Sequence, residues 1–315
     1  MSSLGELRTL AQERRSGKAG KPAVSRRENL AGYLFLSPWI VGMLVFTIGP
    51  MLASLYLAFT RYRLLKPPEW IGGQNFADML NDPVLAHSLR VTFTYVFVGV
   101  PLQLAVALGL ALLLDRGLRG MGFYRSVFYL PSLLGGSVAI AILWRQVFGK
   151  NGIVNAALGL IGIHDAPGWI GHPDYALGTL IILHVWTFGS PLIIFLAGLR
   201  QIPEMYYEAA EMDGAGKIRR FVSITVPLLT PIIFFNLVLQ VIFAFQSFTQ
   251  AYIVSGGTGG PSDSTMFYTL YLYRKAFVDL QMGYASAMAW LLLVIIGALT
   301  ALMFWLSKFW VFYDD

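Results

Sequence analysis

The densest run of hydrogen-bonding side chains inside an otherwise apolar stretch lies between residues 236 and 252. At about 100° per helical residue, Asn236, Gln240, Ser247 and Gln250 fall within an arc of roughly 80°, while Thr249 points away. Gln246 sits just beyond that arc, and Phe245, Phe248 and Tyr252 supply rings beside it. An uncharged stripe of amides and hydroxyls with aromatic neighbours suits a hydroxylated, neutral solute. The same residues would serve equally well to bond neighbouring helices.

Other chemistry-bearing residues are sparse. The four histidines, His87, His164, His172 and His184, are scattered, so no metal-ligating cluster is expected. There is no cysteine, which removes disulfides, thiolate metal sites and thiol nucleophiles. Ser190 comes nearest to a base, but six residues separate it from His184, and on a helix that spacing puts the two on different faces. No Gly-x-x-x-x-Gly-Lys-Ser/Thr occurs, and no lysine precedes Ser or Thr. The chain is therefore expected to be no enzyme, to bind no cofactor of its own and to hydrolyse no ATP.

The elements that carry these residues follow from composition. Of 315 residues, 56% are apolar and 13% are charged, with a mean hydropathy of +0.62. A soluble domain carries about 25% charge. Six stretches free of Asp, Glu, Lys and Arg, each long enough to cross lipid as a helix, run over 33–59, 91–114, 126–144, 176–199, 228–252 and 285–306. The expectation is an all-α membrane protein with six transmembrane helices. The first stretch is too long for a signal h-region and should stay as a span.

With the N-terminus inside, 15 Lys and Arg residues fall on the cytoplasmic side. Eight fall outside: Arg61, Arg63, Lys66, Arg90, Arg145, Lys150, Arg274 and Lys275. The excess places both ends in the cytoplasm. Residues 1–28 form a polar N-terminal tail, and 29–315 form one membrane domain. The net charge of +6 is an orientation and headgroup signal rather than a nucleic-acid footprint.

Three further features stand out, two of them open to two readings. The outside segments 60–90, 145–175 and 253–284 hold Gly, Pro and aromatic residues that either present a docking surface or merely connect helices. His184, Phe188 and Pro191 share one face of the fourth span, where Gly189-Ser190-Pro191 should loosen or kink the helix. His184, Trp144, Trp186 and Trp290 face either a transport path or neighbouring helices and headgroups.

The cytoplasmic loop 200–227 differs in kind. Pro203 suits a first helical turn, Glu204 complements its dipole, and Gly214 supplies a left-handed stop. These residues predict a helix from Pro203 to about Asp213, a sharp turn, and a second helix from Lys217 into the fifth span at Pro227. Met205, Ala209 and Met212 fall on one face, with small residues at Ala209 and Ala210. Such a hairpin is either a plug for a partner's groove or an interfacial helix lying on lipid.

Within it, Glu208-Ala209-Ala210, three residues, Gly214, nine residues, Ile224, one residue, and Val226-Pro227 resembles the EAA loop of permease subunits in binding-protein-dependent ABC importers. The pattern's usual Leu before Pro is Val226 here. The fuller string from Ile202 to Ala215 and Phe221 to Pro227 is similar to the sugar branch of that family. Leu118-Arg119-Gly120 with Arg125, Leu130-Pro131, Asn151-Gly152 with Asn155, Gly256 to Pro261 and the ending Trp310 to Tyr313 also resemble that branch, in its first-permease type.

The resemblance implies a cytoplasmic coupling-helix hairpin between helices four and five. Its ATPase-coupling residues would be Glu208, Ala209, Ala210, Asp213, Gly214, Ala215, Ile224 and Pro227. It also implies a second homologous permease, two ATP-binding cassette subunits carrying ATP and Mg, an extracytoplasmic solute-binding protein, and residence in a bacterial inner membrane. The substrate path for a sugar, oligosaccharide or polyol would then run past Asn236, Gln240, Gln246, Ser247, Gln250 and Tyr252. An ion-coupled secondary transporter of a neutral solute is the alternative, but it would need an intramembrane charge and has none besides His184.

Overall fold

A computed structural model of the protein describes residues 26–115 and 120–312. Most of the N-terminal tail, Leu118, Arg119 and Tyr313 lie outside the described residues.

The chain divides into two compact units, Met1–Ser54 and Leu55–Asp315. In the first, helix α1 (Arg26–Met43) passes through a π turn (Leu44–Ile48) into the start of α2 (Gly49–Ala58). Tyr33, Phe35 and Phe46 are largely exposed along it, as an apolar helix is when lipid is the solvent.

The second unit takes in the end of α2 and then the only strands among the described residues. β1 (Thr60–Arg61) and β2 (Glu69–Trp70) form an antiparallel pair, a small departure from the all-α expectation. Asn75 of α3 (Gln74–Leu80) anchors the pair by donating from Nδ2 to the carbonyls of Ala58 (2.8 Å) and Thr60 (2.9 Å).

Helix α4 (Pro83–Asp115) is the hub. Asp82 caps it, its Oδ1 accepting from the N–H groups of Val84 (3.0 Å) and Leu85 (3.1 Å) with Pro83 at the first helical position. Its Oδ2 accepts from Tyr271 (2.6 Å) and Tyr284 (2.7 Å), tying the helix start to segments nearly two hundred residues later. Val96, Val100, Ala107 and Ala111 are fully buried, and these modest side chains let four later helices approach.

Those neighbours arrive in order: α5 (Met121–Leu134), α6 (Val138–Val147), α7 (Ile153–Leu160), α8 (Pro173–Trp186), α9 (Gly189–Leu199), α10 (Glu204–Met212) and α11 (Lys217–Arg220). A π turn (Phe221–Thr225) leads into α12 (Val226–Phe245), followed by α13 (Thr249–Ser255), α14 (Tyr268–Tyr273) and α15 (Met282–Ser307). Helices α8, α9, α12 and α14 pack on α4, α5 packs on α9, and α13 packs on α6.

Among the described residues four continuous helices are long and apolar enough to cross a membrane: Gly32–Ala58, Pro83–Asp115, Lys217–Phe245 and Met282–Ser307. Two further candidates are bent pairs, so the described residues hold between four and six candidate spans. The third stretch breaks by 95° between α5 and α6, because Gly135 and Gly136 interrupt the helix and the Ser137 hydroxyl caps the next one by accepting from Ile140 N–H (3.3 Å). The fourth breaks by 42° between α8 and α9, at the Gly189-Ser190-Pro191 run expected to kink it. The fifth ends at Phe245 rather than Tyr252, and α13 is a separate short helix.

Candidate functional site

The hairpin is built locally. Pro203 precedes α10 in an extended conformation and Glu204 fills its first turn. At the other end Asp213 N–H bonds Ala209 O (3.1 Å) and Ala215 N–H bonds Ala210 O (2.8 Å) around Gly214, whose φ of +74° is left-handed. That is a Schellman stop, and it needs a residue without a Cβ penalty at Gly214. Tyr207 Oη and Thr225 Oγ1 lie 2.9 Å apart, and Arg220 pairs with Glu211 at 3.4 Å, so α10 is fastened to the π turn that leads into α12. At its base Arg200 meets Asp115 at the end of α4 (3.7 Å).

What the hairpin leaves bare is apolar. Met205 is 66% exposed, Met212 90% and Ile218 82%. Glu208 and Ala209 are exposed beside them, and Glu208 forms no ion pair among the described residues. Two grooves flank this surface. One of about 500 Å³ is lined by Tyr206, Ile224, Pro227 and Phe312, and one of about 230 Å³ by Ala210, Asp213, Ala215 and Ile224. Six of the eight residues expected to couple therefore line a groove or shape the turn between the two helices, and Glu208 and Ala209 stand on the exposed face.

The polar stripe is less unified than its spacing implied. Asn236 and Gln240 are buried on α12, and neither amide atom of Asn236 has a protein partner. Gln246 and Ser247 lie beyond the end of that helix, so the single arc does not extend across them. Gln250 Nε2 donates to Gly135 O (3.1 Å), bracing α13 against the α5–α6 break, and its Oε1 accepts from Ser247 (3.3 Å). Tyr252 joins Phe248 and Tyr273 in an aromatic cluster with centroids 5.1–5.5 Å apart.

His184 packs its ring on Gly99 and Tyr95, and its Nε2 finds no partner. Trp144 donates to Thr179 O (3.1 Å) and sits beside Trp186.

A knot of polar side chains not singled out from the sequence, Gln103, Ser132 and Thr187, holds the α8–α9 break. Gln103 Nε2 donates to Thr187 O and to Thr187 Oγ1, both at 3.0 Å. Ser132 Oγ donates to Thr187 O (2.9 Å) and accepts from Ser190 N–H (2.8 Å). Gly189 lies against the α5 backbone, where a Cβ would come within 2.8 Å of Tyr129 Cα. The free backbone groups of a broken helix are thus satisfied by side chains from α4 and α5, as a nonpolar surrounding demands. The available signal was Gln103, a lone amide in an apolar stretch.

Residues 92–310 match the family model described as "Binding-protein-dependent transport system inner membrane component". The chain belongs to that family. The permease is 55% identical over 291 residues to a probable ABC transporter permease protein, YesP, of Bacillus subtilis, covering 92% of this chain and 94% of that one. It is 33% identical to the lactose transport system permease protein LacF of Rhizobium radiobacter, covering 91% and 97%. Among solved structures it resembles a chain of a bacterial alginate ABC transporter in complex with an alginate pentasaccharide-bound periplasmic protein. That match has a TM-score of 0.78 at 21% identity, over 90% of this chain and 95% of that one, and it speaks to the fold. The permease is a transport subunit of an ABC importer and an inner-membrane component, not an enzyme, and the ion-coupled alternative is not favoured.

Proposed function

We propose that this permease forms, with a second homologous permease, the path by which a sugar, oligosaccharide or polyol delivered by an extracytoplasmic binding protein crosses the membrane. ATP and Mg are bound by two cassette subunits, and the α10–α11 hairpin seats in a cleft of one of them. In this reading the chain crosses six times, counting each bent pair once, with both termini cytoplasmic. The relative named for lactose and the neighbour holding an alginate oligosaccharide support the solute class. The observation that carries the coupling role is the exposed ridge of Met205, Glu208, Ala209 and Met212 on a hairpin fastened to α12 through Tyr207 and Thr225. A ridge that is apolar, preformed and tied to a membrane helix can transmit a push, whereas a loose loop cannot.

The test is affinity capture of the tagged full-length chain from its native membrane in mild detergent, with partners identified by mass spectrometry. Wild type retains an ATPase and a second permease. Glu208→Lys and Gly214→Val lose the ATPase and keep the second permease. A chain that emerges alone and folded in every case overturns this reading.

A further inference from the structure

A large cavity lies at the end of the bundle opposite the hairpin, since α8 and α9 run from it toward Glu204 and α12 returns from there to α13. Its volume is about 760 Å³, within the roughly 300–1,000 Å³ of small-molecule sites. One wall carries Arg145 at the end of α6, Lys150 in the next turn and His172 at the cap of α8. No Asp or Glu lines the cavity. Neither Arg145 nor Lys150 forms an ion pair among the described residues. His172 Nδ1 takes the backbone N–H of Asp174 (3.4 Å), which leaves its Nε2 as the donor.

Both walls are set without a ligand. Asn155 Nδ2 donates to Lys150 O (2.9 Å) and Pro167 O (3.0 Å), and its Oδ1 accepts from Trp169 (2.6 Å), which locks the cationic wall. Across the cavity Thr265 donates to Gly259 O (2.8 Å), and Arg274 donates to Thr258 O (2.7 Å) to hold the glycine-rich loop. A preformed concave site with cations and no acids selects anions, and its field raises their local concentration at the mouth.

We infer that this cavity is an entry vestibule that selects oligosaccharides bearing carboxylates, with Arg145 and Lys150 reading the acid groups. The inference rests on the importer reading and narrows its solute class to acidic sugars. Two cations, Arg145 and Lys150, line this cavity, and His172 adds a hydrogen-bond donor beside them.

The experiment uses the complete importer complex in lipid nanodiscs without its binding protein. Binding of radiolabelled digalacturonate is compared with that of its neutral counterpart, galactobiose, for wild type and for Arg145→Gln/Lys150→Gln. Both side chains are exposed, so the double variant keeps the fold. Wild type prefers the acidic disaccharide by about tenfold, the preference fades at high salt, and the double variant loses it while binding galactobiose unchanged. Equal binding of the two sugars by wild type overturns the inference, as does a preference that survives in the double variant. Inorganic phosphate competing as well as digalacturonate marks a general anion site and overturns the sugar assignment. Retention of the ATPase in the same particles reports on the importer reading separately.

Discussion

Asp82 accepts four hydrogen bonds, two from the start of α4 and two from tyrosines far along the chain. Burial pushes its carboxyl up, but Tyr271, Tyr284 and the N–H groups of Leu85 and Val84 outweigh burial and hold it below the usual carboxylate range. Burial and the neighbouring carboxylate push the Tyr271 hydroxyl up, so it stays a donor. A depressed folded-state pKa adds stability that is complete above the unfolded value and is lost as pH falls through the folded one. The melting temperature of the purified permease should therefore fall below about pH 4, and Asp82→Asn should melt lower at neutral pH and show a flatter acid limb. Asp82→Ala should cost about 3 kcal/mol, from a lost cap and lost charge-assisted bonds. Asp82 could not be singled out from the sequence, since its cap is local but Tyr271 and Tyr284 reach it only through the fold.

At the scale of elements, legibility tracked how local the cause was. Pro203 and Gly214 act within a few residues of themselves, and α10 ends one residue short of its expected boundary. The α5–α6 break had an equally local signal in Gly135, Gly136 and Ser137, which counting uncharged residues overlooks. The end of α12 at Phe245 carries no glycine or proline. It accompanies a tertiary bond, Gln250 to Gly135 O, and helical spacing alone could not reveal it. The contact of Gly189 with the α5 backbone makes a strong prediction, because a methyl there has nowhere to go. Gly189→Ala should destabilise the protein by about 1–3 kcal/mol and impair transport, measured by thermal unfolding and by uptake through the reconstituted importer. Gly178, whose added Cβ would meet nothing within 4 Å, is the control and should tolerate the same change.

For the whole molecule, the absence of cysteine turns orientation into a simple measurement. Met212 and Thr258 lie toward opposite ends of the bundle and are exposed to differing degrees. Met212→Cys should react with an impermeant maleimide only from the cytoplasmic side, and Thr258→Cys only from the outside. Reaction of both from one side would overturn the proposed topology. Hydropathy made the membrane class readable from the sequence, but not the hub role of α4, because its neighbours α8, α9, α12 and α14 come from distant parts of the chain.

Gln103 has an implication for biogenesis. Its Nε2 on α4 finds its acceptors only at Thr187, which lies 84 residues later. At about 5–20 residues per second a ribosome needs roughly 4–17 seconds to make that partner. For that interval α4 carries an unanswered amide in a nonpolar surrounding, which favours its staying beside the insertion machinery until α8 arrives. Assembly then proceeds around a helix that has waited, and replacing Gln103 with leucine would release it early into lipid.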